Sequence, residues 1–165
     1  QIINANEVCY SPSTNSGEFL RYNVKTKEDN LIFNWVPKSP VSVYLLDCND
    51  RFLVYVADYY TDSNLGDNLI VYDFEKGAII LESKSNRRNS NYIKAFLVDQ
   101  SKLYYSTEID RIKLLDLDNN EAKIVVEAPK RIEDWVLSSN FIVYQVEVDR
   151  WEYSSHVYLQ MLDDN

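Results

Sequence analysis

The chain has 165 residues, a formal net charge of −9 at pH 7 and a hydrophobic content of 45%. This hydrophobic fraction is ample for a packed core and argues against a disordered chain. The negative charge disfavours a nucleic-acid-binding surface, which needs clustered Lys and Arg. No apolar run approaches the roughly 18 residues needed to span a membrane, so we expect no membrane span.

The first half of the chain contains two predicted units of short strands. In the first unit, residues 1–36, strand patterns cover residues 8–10, 18–24 and 30–35, and residues 2–3 are either a first short strand or no strand. Two closely spaced prolines, Pro37 and Pro40, then break the pattern. The second unit, residues 38–84, has four strand patterns, at residues 41–46, 51–57, 68–74 and 78–84.

The second half repeats this arrangement. The third unit, residues 91–127, has strand patterns at residues 93–98, 102–106, 112–116 and 123–127, joined by short polar turns. After a break at residues 128–131, the fourth unit extends over residues 131–165 and has three strand patterns, at 134–138, 141–147 and 157–162. Strands at this even spacing predict up-and-down antiparallel sheets.

The four units align on a strand end that is followed by a polar turn. The matched positions are Asn23, Asp73, Asp116 and Met161, which lie 50, 43 and 45 residues apart in turn. Spacings of about 40–50 residues are typical of propeller blades. Continuous apolar runs such as residues 52–57 and 141–144 indicate strands covered on both faces, as in stacked blades, whereas a sandwich would show more alternation.

We therefore predict an all-β fold: a single partial β-propeller over residues 1–165, with about three and a half four-stranded antiparallel blades. The blades are expected at residues 1–36, 38–84, 91–127 and 131–165. Such a set does not close a ring, and residues 157–162 would form an apolar edge strand that proteins normally cover. The missing strands are expected from a second copy of the chain, giving a homodimer, or from the remaining blades of a longer polypeptide. A closed four-bladed ring formed by this chain alone is the less favoured alternative, because the final strand is absent.

Two segments, VYDFEKGAIILES at residues 71–83 and LLDLDNNEAKIVVE at residues 114–127, resemble the blade endings of TolB-like and YncE-like bacterial propellers. The resemblance implies a β-propeller and, for function, a binding platform. The chain has no Gly-His or Trp-Asp dipeptide typical of WD40 repeats and no paired glycines typical of kelch repeats. No family's functional residues are therefore carried over.

The residues able to support catalysis or metal binding do not form a recognisable motif. His156 is the only histidine, and without a nucleophile-elbow motif it is expected to be a surface or hydrogen-bonding residue. Oxygen ligands for Ca²⁺ could come from Asp58, Asp62, Asn64 and Asp67, but Gly66 is misplaced for the standard loop, which favours a solvated loop. We expect no enzyme activity, metal or cofactor.

The two cysteines, Cys9 and Cys48, could form one disulfide, but the sequence favours two separate thiols that are buried or half-buried. They do not indicate a compartment. Of the tryptophans, Trp35 and Trp135 are expected to pack between blades.

Aromatic residues on two loops form the predicted binding surface. Tyr59 and Tyr60 lie on one loop, and Trp151 and Tyr153 on another that joins the equivalent strands of its unit. Equivalent loops of a propeller emerge on one face, so these four side chains could form a recognition surface. The alternative is that each packs on its own blade.

The sequence thus favours a non-enzymatic scaffold of the β-propeller type that binds a protein or peptide partner. One alternative is the gating propeller of a prolyl-oligopeptidase-like peptidase, which would require a Gly-x-Ser-x-Gly catalytic domain. Another is a propeller that binds or hydrolyses saccharides.

Overall fold

The computed structural model describes residues 2–4, 6–13, 17–34, 41–59, 66–85, 93–149 and 154–162. Every regular element in these ranges is a β-strand. No helix there is long and apolar enough to cross a membrane. The predicted all-β class is confirmed.

The strands form four separate antiparallel sheets, and in each sheet neighbouring strands follow chain order. The first sheet contains β1 (Ile2–Asn4), β2 (Glu7–Tyr10), β3 (Glu18–Asn23) and β4 (Glu28–Asn34). The second contains β5 (Val41–Cys48), β6 (Phe52–Tyr59), β7 (Gly66–Asp73) and β8 (Ala78–Lys84). The third contains β9 (Lys94–Val98), β10 (Lys102–Ser106), β11 (Arg111–Asp116) and β12 (Glu121–Glu127).

The fourth sheet has three strands, β13 (Ile132–Leu137), β14 (Phe141–Asp149) and β15 (Ser154–Met161). The first sheet does possess an initial strand, β1, which settles the alternative that the sequence left open. β15 begins at Ser154, three residues earlier than the apolar pattern indicated, because it continues to pair with the long strand β14 up to Asp149.

Neighbouring sheets pack face to face through three apolar clusters. Between the first and second sheets, Cys9 and Phe19 meet a group that includes Leu53 and Tyr55. Between the second and third sheets, Val54 and Leu69 pack with Leu103 and others. A third cluster joins the third sheet to the fourth. No cluster of described residues joins the first sheet to the fourth.

The central strand β6 explains the continuous apolar runs of the sequence. Leu53, Tyr55 and Ala57 belong to the cluster shared with the first sheet, whereas Phe52, Val54 and Val56 belong to the cluster shared with the third. Because successive side chains of a strand point to opposite faces, a sheet covered on both sides needs apolar residues at every position. The second sheet is therefore an interior layer.

An equivalent backbone hydrogen bond is present in each of the four sheets, just beyond the end of the third strand. The donors Val24, Phe74, Leu117 and Leu162 give their backbone N–H to the carbonyl oxygens of Asn6, Arg51, Ser101 and Asn140, at 2.8, 2.8, 2.8 and 2.9 Å. Each donor directly follows one of the positions matched in the sequence. The second and third strands are thus held in the same register in every sheet.

The turn between the third and fourth strands is built alike in three sheets. The side-chain oxygens of Asn23, Asp73 and Asp116 each accept two backbone N–H groups of the following turn, at 2.9 and 3.1 Å. The chain then passes through a left-handed residue: Lys27, Gly77 or Asn120, with φ of 59°, 62° and 58°. Asp and Asn stabilise such turns by bonding to the backbone ahead of them.

A disulfide between Cys9 and Cys48 connects β2 of the first sheet to β5 of the second. Both cysteines are buried in the cluster between these sheets. The prediction of two separate thiols was wrong. Their separation of 39 residues gave no hint of contact, because the stacking of the sheets brings them together.

Candidate functional site

The fourth sheet has an apolar face that no described residue covers. The cluster with the third sheet uses Ile142 and Val146, whose cross-strand neighbours on β15 are Gln160 and His156. The alternate residues of β15 therefore lie on the opposite face. There Val157, Leu159 and Met161 are exposed, together with Val136 of β13. We call Val136, Val143, Val157, Leu159 and Met161 the open face of the fourth sheet.

The position of Val157 shows how unusual this exposure is within the molecule. Val157 lies four residues before the matched position of its sheet, as do Phe19, Leu69 and Ile112 in the other three. Those three side chains are 0% exposed because each packs on the following sheet, whereas Val157 is 69% exposed. The same position that forms an interface three times is open in the fourth sheet.

β15 also has a free edge. In the first three sheets the third strand pairs with a fourth strand, but no strand among the described residues pairs with the outer side of β15. Leu162 donates its N–H to Asn140 across the β14 side. Since ladder bonds alternate along an antiparallel pair, Gln160 and Tyr158 also face β14, and Leu159 and Val157 present their backbone groups to the free edge.

A cleft of about 390 Å³ lies beside the free edge, between the third and fourth sheets. One wall comes from Leu114, Lys123 and Ile124 of the third sheet, and the other from Leu137 and the end of β15. The cleft reaches Tyr104, where burial and, second, the charge of Asp99 raise the pKa of the phenol. Its walls combine apolar side chains with polar ones such as Lys123 and Gln160.

The predicted aromatic recognition surface falls almost wholly outside the described residues. Tyr59 ends β6, and only its backbone is described; Tyr60, Trp151 and Tyr153 lie beyond the described ranges. The two loops do join the second strand to the third strand in their sheets, as the sequence indicated. That these aromatic side chains form one surface stays a prediction.

Two acidic residues that the sequence offered as possible Ca²⁺ ligands, Asp58 and Asp67, meet across neighbouring strands. Asp58 of β6 is the register partner of Asp67 of β7. Asp67 is buried, and burial, followed by the charge of Asp58, raises its pKa to about 6. Asp62 and Asn64 lie outside the described residues. Within the described part of the chain, no three His, Cys, Asp or Glu side chains converge as a metal site.

His156 and Trp135 occupy ordinary structural positions. His156 is exposed, and its Nδ1 lies 3.5 Å from the Tyr158 hydroxyl. The buried Trp135 donates from Nε1 to the Ser106 hydroxyl at 3.0 Å and packs edge-on against Phe96. It therefore lies between the third and fourth sheets, while Trp35 is outside the described residues.

The sequence signalled the free edge through its apolar fourth unit but missed the cleft and the open face. Both depend on how β12, β13 and β15 are arranged in space, which no local pattern records.

Comparison with protein-family models and with curated proteins found no match. The resemblance to TolB-like and YncE-like propellers therefore stays a prediction. The free edge of β15 and the adjoining cleft are the candidate site.

Proposed function

We propose that this protein is a non-enzymatic scaffold of the β-propeller type that binds a protein or peptide by adding an extended strand to β15. The free edge of β15 carries the proposal, because the third strand of each of the other three sheets is paired with a fourth strand.

The propeller arrangement is supported by the way the sheets are built and stacked. Four meander sheets follow one another along the chain, and each packs on the next through its faces. Inner strands of neighbouring sheets also approach closely, since Leu97 of β9 donates its N–H to the buried Asp47 carboxylate of β5 at 2.8 Å. First strands that converge in this way are expected around a propeller axis.

Strand addition supplies both affinity and specificity at such an edge. The backbone groups of Val157 and Leu159 would pair with the incoming strand, and each such hydrogen bond contributes roughly 0.5–1.5 kcal/mol. Alternate side chains of the incoming strand would point toward the cleft beside Ile124. A partner with an apolar residue at every second position fits this arrangement.

β12 indicates a suitable probe, because it occupies the fourth-strand place on β11 in the third sheet. A fluorescent peptide carrying its sequence, EAKIVVE, should bind the protein in an anisotropy titration. A peptide of the same composition in scrambled order serves as the control.

Leu159→Pro tests whether the edge is the binding site. Proline removes the N–H that faces the free edge and blocks a neighbouring strand, but it leaves the hydrogen bonds to β14 in place. We expect peptide affinity to fall at least about tenfold, a loss near 1.4 kcal/mol. Leu159→Ala, which shortens the same side chain and keeps the N–H, should weaken binding far less. Equal binding by the wild type and the proline variant would refute the proposal.

A further inference from the structure

The open face of the fourth sheet has a counterpart at the other end of the stack. On the first sheet, Tyr10, Leu20 and Leu31 form one cross-strand row. This row lies on the side away from Cys9 and Phe19, which face the second sheet. We call Val8, Tyr10, Leu20, Tyr22 and Leu31 the open face of the first sheet. Leu31 is 55% exposed, and no described cluster covers these residues.

A tyrosine at one register position identifies what kind of face this is. In each sheet, one residue of the second strand pairs with the matched position of the third strand. Three residues after it, every second strand has a tyrosine: Tyr10, Tyr55, Tyr105 and Tyr144. Tyr55, Tyr105 and Tyr144 all pack against the preceding sheet. Tyr10 stands at the same position, with no preceding sheet among the described residues.

The two open faces are therefore the two different halves of one kind of interface. The first sheet presents the half that receives a preceding sheet, and the fourth presents the half that receives a following one. Each half already packs against the other three times inside the molecule. The row of Val136, Val143 and Leu159 also carries no charge, which suits close sheet-to-sheet packing.

We propose that a second copy of this chain occupies both faces, with the open face of the fourth sheet of each copy packed on the open face of the first sheet of the other. Two reciprocal contacts of this head-to-tail kind close a ring of two-fold symmetry. The ring holds eight sheets, within the range of about 4–8 blades seen in propellers. The inference rests on the propeller-type stacking proposed above, but not on capture of a strand by β15.

Light scattering across a concentration series tests this assembly first. The wild type should have twice the 19.4 kDa mass of the single chain. Because each copy carries a net charge of −9, added salt should strengthen the dimer by screening repulsion. A wild type that remains monomeric throughout the series would overturn the proposal.

Two single variants then separate the head-to-tail contact from other ways of pairing. Val157→Asp places a charge on the open face of the fourth sheet, and Leu31→Asp places one on that of the first. Each variant alone should be monomeric. An equimolar mixture should form a one-to-one dimer, since one variant keeps the first half of the interface and the other keeps the second. Dimerisation of either variant by itself, or no dimer in the mixture, contradicts the proposal.

Controls exclude misfolding and distinguish this inference from the proposed function. Ile79→Asp, at an exposed position of β8 within the stack, should stay dimeric. If Val157→Asp does not unfold cooperatively, Met161→Lys replaces it on the same face. The Leu31→Asp monomer has an intact β15 edge, so peptide binding by this variant reports on strand capture independently of assembly.

Discussion

Asp67 is a buried carboxyl whose ionisation is linked to folding. Its side chain is 4% exposed, and its Oδ2 has no hydrogen-bond partner among the described residues. Burial, and then the charge of Asp58 across the strand pair, raises its pKa from 3.8 to about 6. The folded protein therefore binds a proton more tightly there than the unfolded chain does.

The raised pKa of Asp67 predicts a pH-dependent loss of stability. A carboxyl whose pKa is higher in the folded state destabilises the fold once it ionises, so the free energy of unfolding should fall as pH rises from near 3.8 to about 6. Asp67→Asn should raise the stability at pH 7.5 by roughly 1–2 kcal/mol and have little effect at pH 4. Urea unfolding at both pH values measures this difference.

Asp99→Asn is the matched control, since Asp99 is an exposed turn residue with a φ of 50° that Asn also adopts readily. It should change stability little at either pH. A destabilised Asp67→Asn variant at pH 7.5 would show that the ionised carboxylate is stabilised by its surroundings, contrary to the account.

Turn residues show what the sequence could reveal at this scale. Asp73 and Asp116 were recognisable as turn-forming because their carboxylates bond to backbone N–H groups two and three residues ahead, an entirely local interaction. The pairing of Asp58 with Asp67 was not recognisable, since it depends on the register of β6 against β7.

At the scale of elements, the disulfide is the main covalent constraint between sheets. It joins β2 to β5 across a separation of 39 residues, so it restricts the unfolded chain as well as the first two sheets. By loop-closure entropy a cross-link of this span contributes about 2–4 kcal/mol.

We therefore expect Cys9→Ala combined with Cys48→Ala to lower the free energy of unfolding by about 2–4 kcal/mol. Chemical denaturation measures the loss, and hydrogen exchange should show the largest effect in β2 and β3 of the first sheet. The non-reduced wild type, unfolded in denaturant, should contain no titratable thiol. Two free thiols in that assay would contradict the observed pairing.

Strand positions were predictable where an apolar run coincided with a strand, as in β6 and β10. The beginnings of β13 and β15 were less so. β13 starts at Ile132, which is buried against the third sheet, although polar Glu133 and Asp134 interrupt the local pattern. β15 starts with Ser154, Ser155 and His156, and these residues are extended because they pair with β14 rather than because of their own strand propensity.

At the scale of the whole molecule, four sheets stacked in chain order were foreseeable because continuous apolar runs require cover on both faces. The disulfide and the two open faces were not, since each depends on contacts between sheets. The same kind of sheet-to-sheet interface recurs three times along the stack. Within the described part of the chain, the open faces of the first and fourth sheets are the two unpaired halves of that interface. We propose that these faces, and the edge of β15, are where the molecule meets its partners.

Residue-resolved amide hydrogen exchange of β15 tests the central claim, the free strand edge, most directly. In the protein without peptide, the amides of Val157, Leu159 and Met161 should exchange rapidly, while those of Tyr158 and Gln160 are protected by β14. Adding the EAKIVVE peptide should slow the first three and leave the other two unchanged. Equal protection of all five amides without peptide, or no response to the peptide, would contradict the account.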